Sequence, residues 1–192
     1  MPRAAIQIYW AGREAMQAAG LKTGDGDNRL RIGVVKVLVD GGFTGPAAYT
    51  LELYRGCPDY FGKLNHSEEE LRRIILDAHE MGWQLGFHAI GDAAIKITLE
   101  MFVDALERFP RKDHRHYLKH FTVSPPEETY RLMAENNILI AQQPNFTWTI
   151  DSRYSEDERL EHNNALRTPM ARYLHGTRKR HPPTDPFLGI YT

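Results

Sequence analysis

The sequence predicts an α/β fold in which parallel strands are joined by crossover helices. Short apolar or β-branched runs at 30–40, 83–88, 116–123 and 138–143 alternate with longer helical segments. Alternation of that kind places the strands in one parallel sheet with right-handed crossovers. The 192 residues, 42% hydrophobic and 26% charged, suit a single globular domain.

Each element has a local reason. Residues 5–19 have helical composition and stop at Gly20, a residue suited to the left-handed cap of a helix. Thr23-Gly24-Asp25-Gly26-Asp27-Asn28 is a loop by composition. Leu30 to Asp40 is a β-branched run ended by Gly41-Gly42, hence a strand. Residues 43–65 are rich in Gly, Pro and Tyr and show no period, which predicts a long loop of the kind that often carries function. Ser67 with Glu70 forms a capping box, so a helix follows to about Met81 and Gly82.

Trp83 to His88 is the second strand, and Gly91-Asp92 opens a helix that Pro110 stops, with Asp92 as its N-cap. His116 to Val123 is the third strand, and Pro125-Pro126 sit where the first turn of the next helix begins. Ile138 to Gln143 is the fourth strand, closed by Pro144. A charged helix over 156–174 and an irregular, Pro-rich tail over 176–192 complete the chain. Four strands fall short of the eight, in about 250 residues, of a closed barrel, so the expectation is a half-barrel or a small open sheet.

Composition excludes several classes. A net charge of −1 gives no basic excess for nucleic acid. The lone cysteine, Cys57, allows neither an intrachain disulfide nor a cysteine metal cluster, and it fits a reducing compartment. No apolar run reaches the roughly 20 residues a membrane span needs, and the N-terminus carries no signal-like apolar stretch. The expectation is a soluble, cytoplasmic protein.

Chemistry in parallel α/β folds sits at the C-terminal ends of the strands. The first strand there carries Lys36, on the face shared by Ile32, Val34, Leu38 and Asp40. A lysine among apolar neighbours loses stability in its charged form. The neutral amine can take up carbon dioxide as a carbamate, a metal-bridging group. The alternative is an edge-strand lysine snorkelling to water. The second strand ends in His88, placed as a metal ligand or, alternatively, bonded to a nearby carbonyl. The third carries His120 near its end, while His114 and His116 lie at its entry and read as structural or solvated. The fourth ends in Gln143, able to hydrogen-bond a substrate or to satisfy backbone groups. A carbamate and two imidazoles would suit one or two zinc ions.

These residues stand in a recognisable order. Lys36-Val37-Leu38-Val39-Asp40-Gly41, His88-Ala89-Ile90-Gly91-Asp92, Arg115-His116-Tyr117-Leu118-Lys119-His120 and Gln143-Pro144-Asn145-Phe146 follow one another between about 30 and 146. Together they resemble amidohydrolase family 3, the metal-dependent hydrolases of the N-substituted formamide deformylase type. The resemblance implies a partial (β/α)8 TIM barrel of about four βα units within a single domain, 1–192. It implies a divalent metal centre, zinc or another ion, held by Lys36 (carbamylated), His88 and His120. It also implies hydrolysis of C–N bonds in amide-like small molecules, with Gln143 toward the substrate.

The sequence departs from the family in three places. The family carries Glu where Lys119 stands before the ligand histidine. No His-x-His pair precedes Lys36, and no strand to hold one is expected there. The catalytic aspartate of the eighth strand has no counterpart, since Asp185-Pro186 resembles a later family motif, so the general base is unassigned. The chain therefore reads as a truncated member of the family. The alternatives are an inactive barrel remnant or a small α/β binding module. Four strands with open edges predict self-association.

Overall fold

The computed structural model describes residues 3–143. The elements are β1 (Ala4–Tyr9), α1 (Arg13–Ala19), β2 (Leu30–Lys36), α2 (Glu68–Glu80), β3 (Gly86–Ala89), α3 (Asp92–Arg108), β4 (Tyr117–His120), α4 (Glu127–Glu135) and β5 (Leu139–Ala141). The helix expected over 156–174, the tail at 176–192 and Asp185 lie outside the described residues.

The first element corrects the sequence reading. Residues 5–19 divide into a strand and a helix, and Gly12 at φ 96 separates them. The alanines favour a helix, but Ile6 and Ile8 alternate with polar or small neighbours, and pairing decides the matter. β1 runs parallel to β2 from Ala4↔Leu30 to Tyr9↔Lys36, with a register shift between Ile6 and Ile8. The described residues thus hold five strands rather than four, and a strand does precede Lys36. Gly20 caps α1 in the left-handed region as the sequence suggests.

All pairings between named strands are parallel. β1 pairs with β2, and β3-β4-β5 form a second run. Bridges Val35↔Leu85 and Leu38↔His88 join the two runs, so the strands follow in sequence order. Three backbone bonds of 2.9 Å make that join, Val35 N–H to Gln84 O, His88 N–H to Val37 O and Val39 N–H to His88 O. No barrel is closed among the described residues.

Alternation along each strand separates a helix-facing side from a polar side. On β2 and its continuation, Val35, Val37 and Val39 are buried against the helices, with Leu85, Phe87 and Leu118 from the neighbouring strands. Leu71, Ile75 and Ala78 of α2 and Leu99, Phe102 and Ala105 of α3 complete this layer, at the 3- and 4-residue spacing of one helix face. Phe87 and Phe102 meet edge to face at 5.3 Å. Ser67 caps α2 by accepting from Glu70 N–H at 3.1 Å, one half of the expected capping box. Among the described residues β1 and β5 each have one strand neighbour and carry exposed apolar side chains: Ile6 is 39% exposed, Leu139 51% and Ile140 40%. No described helix is long and apolar enough to cross a membrane.

Candidate metal centre

The polar side of the sheet gathers the residues named from the sequence. Lys36, at the end of β2, is 8% exposed, so it does not snorkel into open water. Burial, helped by the nearby charge of Lys119, brings its pKa down to about 8. One flank of Lys36 borders a cleft of about 520 Å³ walled by Tyr9, Trp10 and the α2 residues Arg73 and Asp77. His88 and His120 do not line that cleft.

His88, on β3, stands beside His120, with ring centroids 4.4 Å apart in an edge-to-face arrangement. The Nε2 atom of His88 is buried without a hydrogen-bond partner. Asp40 Oδ1 lies 3.6 Å from it. Burial first, then the neighbouring His120 and Lys36, bring the His88 pKa down to about 4, so the imidazole is neutral near pH 7. The neutral Nε2 therefore has no donor facing it, and the carboxylate oxygen beside it accepts from Ile90 N–H; two acceptors turned toward each other in a buried place are the situation a bound cation resolves. The donor set passes this test for a divalent ion.

His120 ends β4 with φ 69, and Phe121 follows at φ 50. Two consecutive non-glycine residues in the left-handed region are costly, and such geometry is concentrated at functional sites. Burial brings the His120 pKa down, and the neighbouring Gln143 side chain opposes that shift without cancelling it. The structure therefore brings Lys36, His88, His120 and Gln143 to one region. It gathers no three His, Cys, Asp or Glu side chains in metal-holding geometry among the described residues.

His79, His114 and His116 form a separate, structural cluster at the opposite strand ends. His116 Nδ1 accepts from Leu85 N–H at 3.0 Å, so its proton sits on Nε2, 2.9 Å from His79 Nδ1. His79 then donates from Nε2 to the Phe109 carbonyl at 2.8 Å. His114 Nδ1 accepts from His116 N–H and its Nε2 donates to the Asn136 carbonyl, each at 3.0 Å. Arg111 donates to His79 Nδ1 at 3.2 Å. Every imidazole nitrogen is used in its neutral form. Burial, then the neighbouring His114 and His79, bring the pKa of His116 down to about 2. His114 and His116 are thus structural as expected, and buried rather than solvated.

Two aspartates acquire roles that the sequence reading did not give them. Asp40, 1% exposed, accepts from Tyr49 and Ile90 N–H at 3.0 Å and from Gly91 N–H at 2.8 Å. Burial raises its pKa to about 7 against the pull of these donors. The signal was present, since alternation puts Asp40 on the face of Lys36. Asp92 is not the N-cap of α3: Gly91 holds that position without a side-chain bond. As the first helical residue, Asp92 accepts from Leu51 N–H at 2.9 Å and thereby holds the 43–65 loop.

Parallel βα units that carry a lysine and two imidazoles toward the C-terminal strand ends define a parallel α/β protein, with its polar side where such folds build their sites. The chain belongs to the amidohydrolase family, whose sequence profile matches residues 4–177. It is 33% identical over 170 residues to YtcJ of Bacillus subtilis (strain 168), an amidohydrolase by name, covering 84% of this chain and 31% of that protein. It is 28% identical over 121 residues to the N-substituted formamide deformylase of Arthrobacter pascens, covering 62% of this chain and 22% of the relative. The chain thus spans less than a third of these relatives. An uncharacterized metal-dependent hydrolase from Pyrococcus horikoshii OT3 superimposes with a TM-score of 0.66 at 24% identity, over 83% of this chain and 30% of its own. One from Pyrococcus furiosus gives 0.67 at 19% identity, over 97% and 42%. These likenesses show the fold.

Proposed function

We propose that the chain forms part of a metal-dependent hydrolase that cleaves C–N bonds in amide-like small molecules. Lys36, His88 and His120 would hold the ion. The observation that carries this is the buried, unbonded His88 Nε2 beside His120. Neutral imidazoles suit zinc, and a lysine whose pKa is lowered to about 8 has a larger neutral fraction to take up carbon dioxide and enter the set as a carbamate. A divalent ion in such a site supplies Lewis-acid polarisation of a carbonyl and acidifies water. The chain's own residues do the rest: His88 and His120 stay unprotonated near pH 7, and Gln143 lies beside His120, within reach of a substrate amide.

A second reading is metal binding without turnover, favoured by the lack of an assigned general base among Lys36, His88, His120 and Gln143. Elemental mass spectrometry of the purified chain tests the shared premise. The expected result is near-stoichiometric zinc or another divalent metal, lost in both His88→Ala and His120→Ala. No metal in the native chain after zinc loading would overturn both readings and leave a binding module.

The exposed edges β1 and β5 support a further part of the proposal, that the chain self-associates. Light scattering is expected to give a mass above that of one 22.1 kDa chain. A concentration-independent monomer would contradict it.

A further inference from the structure

We infer that Asp40 is a positioning residue that sets the orientation of the His88 imidazole. The inference deepens the metal-centre reading and rests on it only where metal affinity is the readout.

Asp40 stands where it meets both the turn after His88 and the His88 ring. Its carboxylate takes the N–H groups of Ile90 and Gly91, in the turn that begins two residues after His88. The backbone of His88 is bonded on both sides to the strand leading into Asp40, through Val37 O and Val39 N–H. The ring of His88 then lies with Nε2 3.6 Å from Asp40 Oδ1. The ring also meets the Gly41 backbone. Nε2 is unbonded, so that contact falls to Nδ1. Gly41 therefore holds Nδ1, and Asp40 pins the turn on the Nε2 side without bonding that nitrogen, so a rotation of the ring would have to break the Gly41 contact or displace the turn. A ligand histidine whose ring is oriented by a neighbouring carboxylate or carbonyl is a recurring device in metal sites.

The fold also contains an internal comparison. Asp92 follows His88 at the spacing at which Asp40 follows Lys36. It too is buried, at 5% exposure, and accepts backbone N–H groups, from Leu51 and Ala93. No ion pair or hydrogen bond links Asp92 to an imidazole among the described residues. Two similar clamps thus differ in whether they touch the histidine.

The test reads the His88 ring nitrogens by ¹H–¹⁵N spectroscopy of the metal-free chain, assigned by their loss in His88→Ala, for native protein, Asp40→Asn and Asp92→Asn. The native ring is expected to show one tautomer with its proton on Nδ1. Asp40→Asn is expected to release it to a mixture, while Asp92→Asn leaves the ring signals unchanged and speeds amide exchange at Leu51. Cobalt affinity is expected to fall roughly 10–100-fold in Asp40→Asn only. Native-like ring signals in Asp40→Asn, or equal perturbation by Asp92→Asn, would overturn the inference. If Asp40→Asn does not fold, Asp40→Ser is read in its place, since the smaller side chain leaves room for water to serve the three N–H groups. A native chain that binds no cobalt, but whose ring is released by Asp40→Asn, would sink the metal reading and leave this one standing.

Discussion

Replacing His116 by leucine destabilises the chain by about 3 kcal/mol at pH 7, and by roughly 2 kcal/mol less at pH 5. The first figure follows from the bonds lost. His116 is fully buried and links the start of β3, through Leu85 N–H, to His79 at the end of α2. Leucine fills the space but leaves Leu85 N–H without its acceptor and His79 without one of its donors.

The second figure follows from proton binding. The folded pKa of His116 is about 2, against an ordinary value of 6.5. The stability it contributes is complete above pH 6.5 and is lost as pH falls from there toward 2, because only the unfolded chain takes up the proton in that window. His88, brought down to about 4, acts in the same direction between 6.5 and 4. Asp40 opposes both: its pKa is raised to about 7, so its contribution is complete below its ordinary 3.8 and is lost as pH rises through 7. The native chain therefore loses stability on acidification more slowly than two histidines alone would dictate. The difference between native and His116→Leu isolates one histidine, and denaturant titrations at pH 7 and 5 read it. A leucine penalty that stays constant across that range would mean that His116 is protonated in the folded state, and the neutral hydrogen-bond chain would be wrong.

The parts legible in the sequence were those that local chemistry determines. Ser67 announces α2 because a side-chain oxygen at that position can meet only the N–H groups of the first turn. The face shared by Lys36 and Asp40 follows from strand alternation, and the opposite face of Val35, Val37 and Val39 is buried as that alternation requires. The strand β1 was hidden because Ala4, Ala5 and the helical run after Gly12 outweigh Ile6, Ile8 and Tyr9, and each paired residue on Leu30–Lys36 lies more than 20 positions further on. The tautomers of His79, His114 and His116 were hidden for a related reason. Each ring is satisfied by a backbone group or a histidine brought close only by the crossover helices, including the contact between His79 and His116, 37 residues apart. The pairing of Asp40 with the turn after His88 spans 50 and 51 residues and needs the parallel register of β2 and β3 to be known first.

Gly91→Ala is expected to destabilise the chain by about 3 kcal/mol, although Gly91 has an ordinary backbone conformation, φ −73 and ψ 147. The reason is space. A Cβ on Gly91 would fall on the carbonyl oxygen of Tyr49. That peptide cannot retreat without loss: its oxygen accepts from Ala94 N–H at 3.2 Å, and its N–H donates to Asp40 at 3.0 Å. Two residues on, Leu51 N–H is held by Asp92. Pushing the loop outward breaks this set together, and buried donors and acceptors left unmade cost more than their bonds contribute. Gly45→Ala is the matched control, in the same loop with nothing within 4 Å of its added methyl, and is expected to change stability by less than about 1 kcal/mol. Urea unfolding of both variants, with amide exchange at Tyr49 and Leu51, decides it. Equal effects of the two substitutions would show that the loop is loosely seated. A large effect of Gly91→Ala alone would explain the glycine of His88-Ala89-Ile90-Gly91-Asp92 as the point where the 43–65 loop closes over the strand end. The loop, Asp40 and His88 would then move as one unit, and the chemistry of the histidine pair would depend on a contact that no imidazole makes.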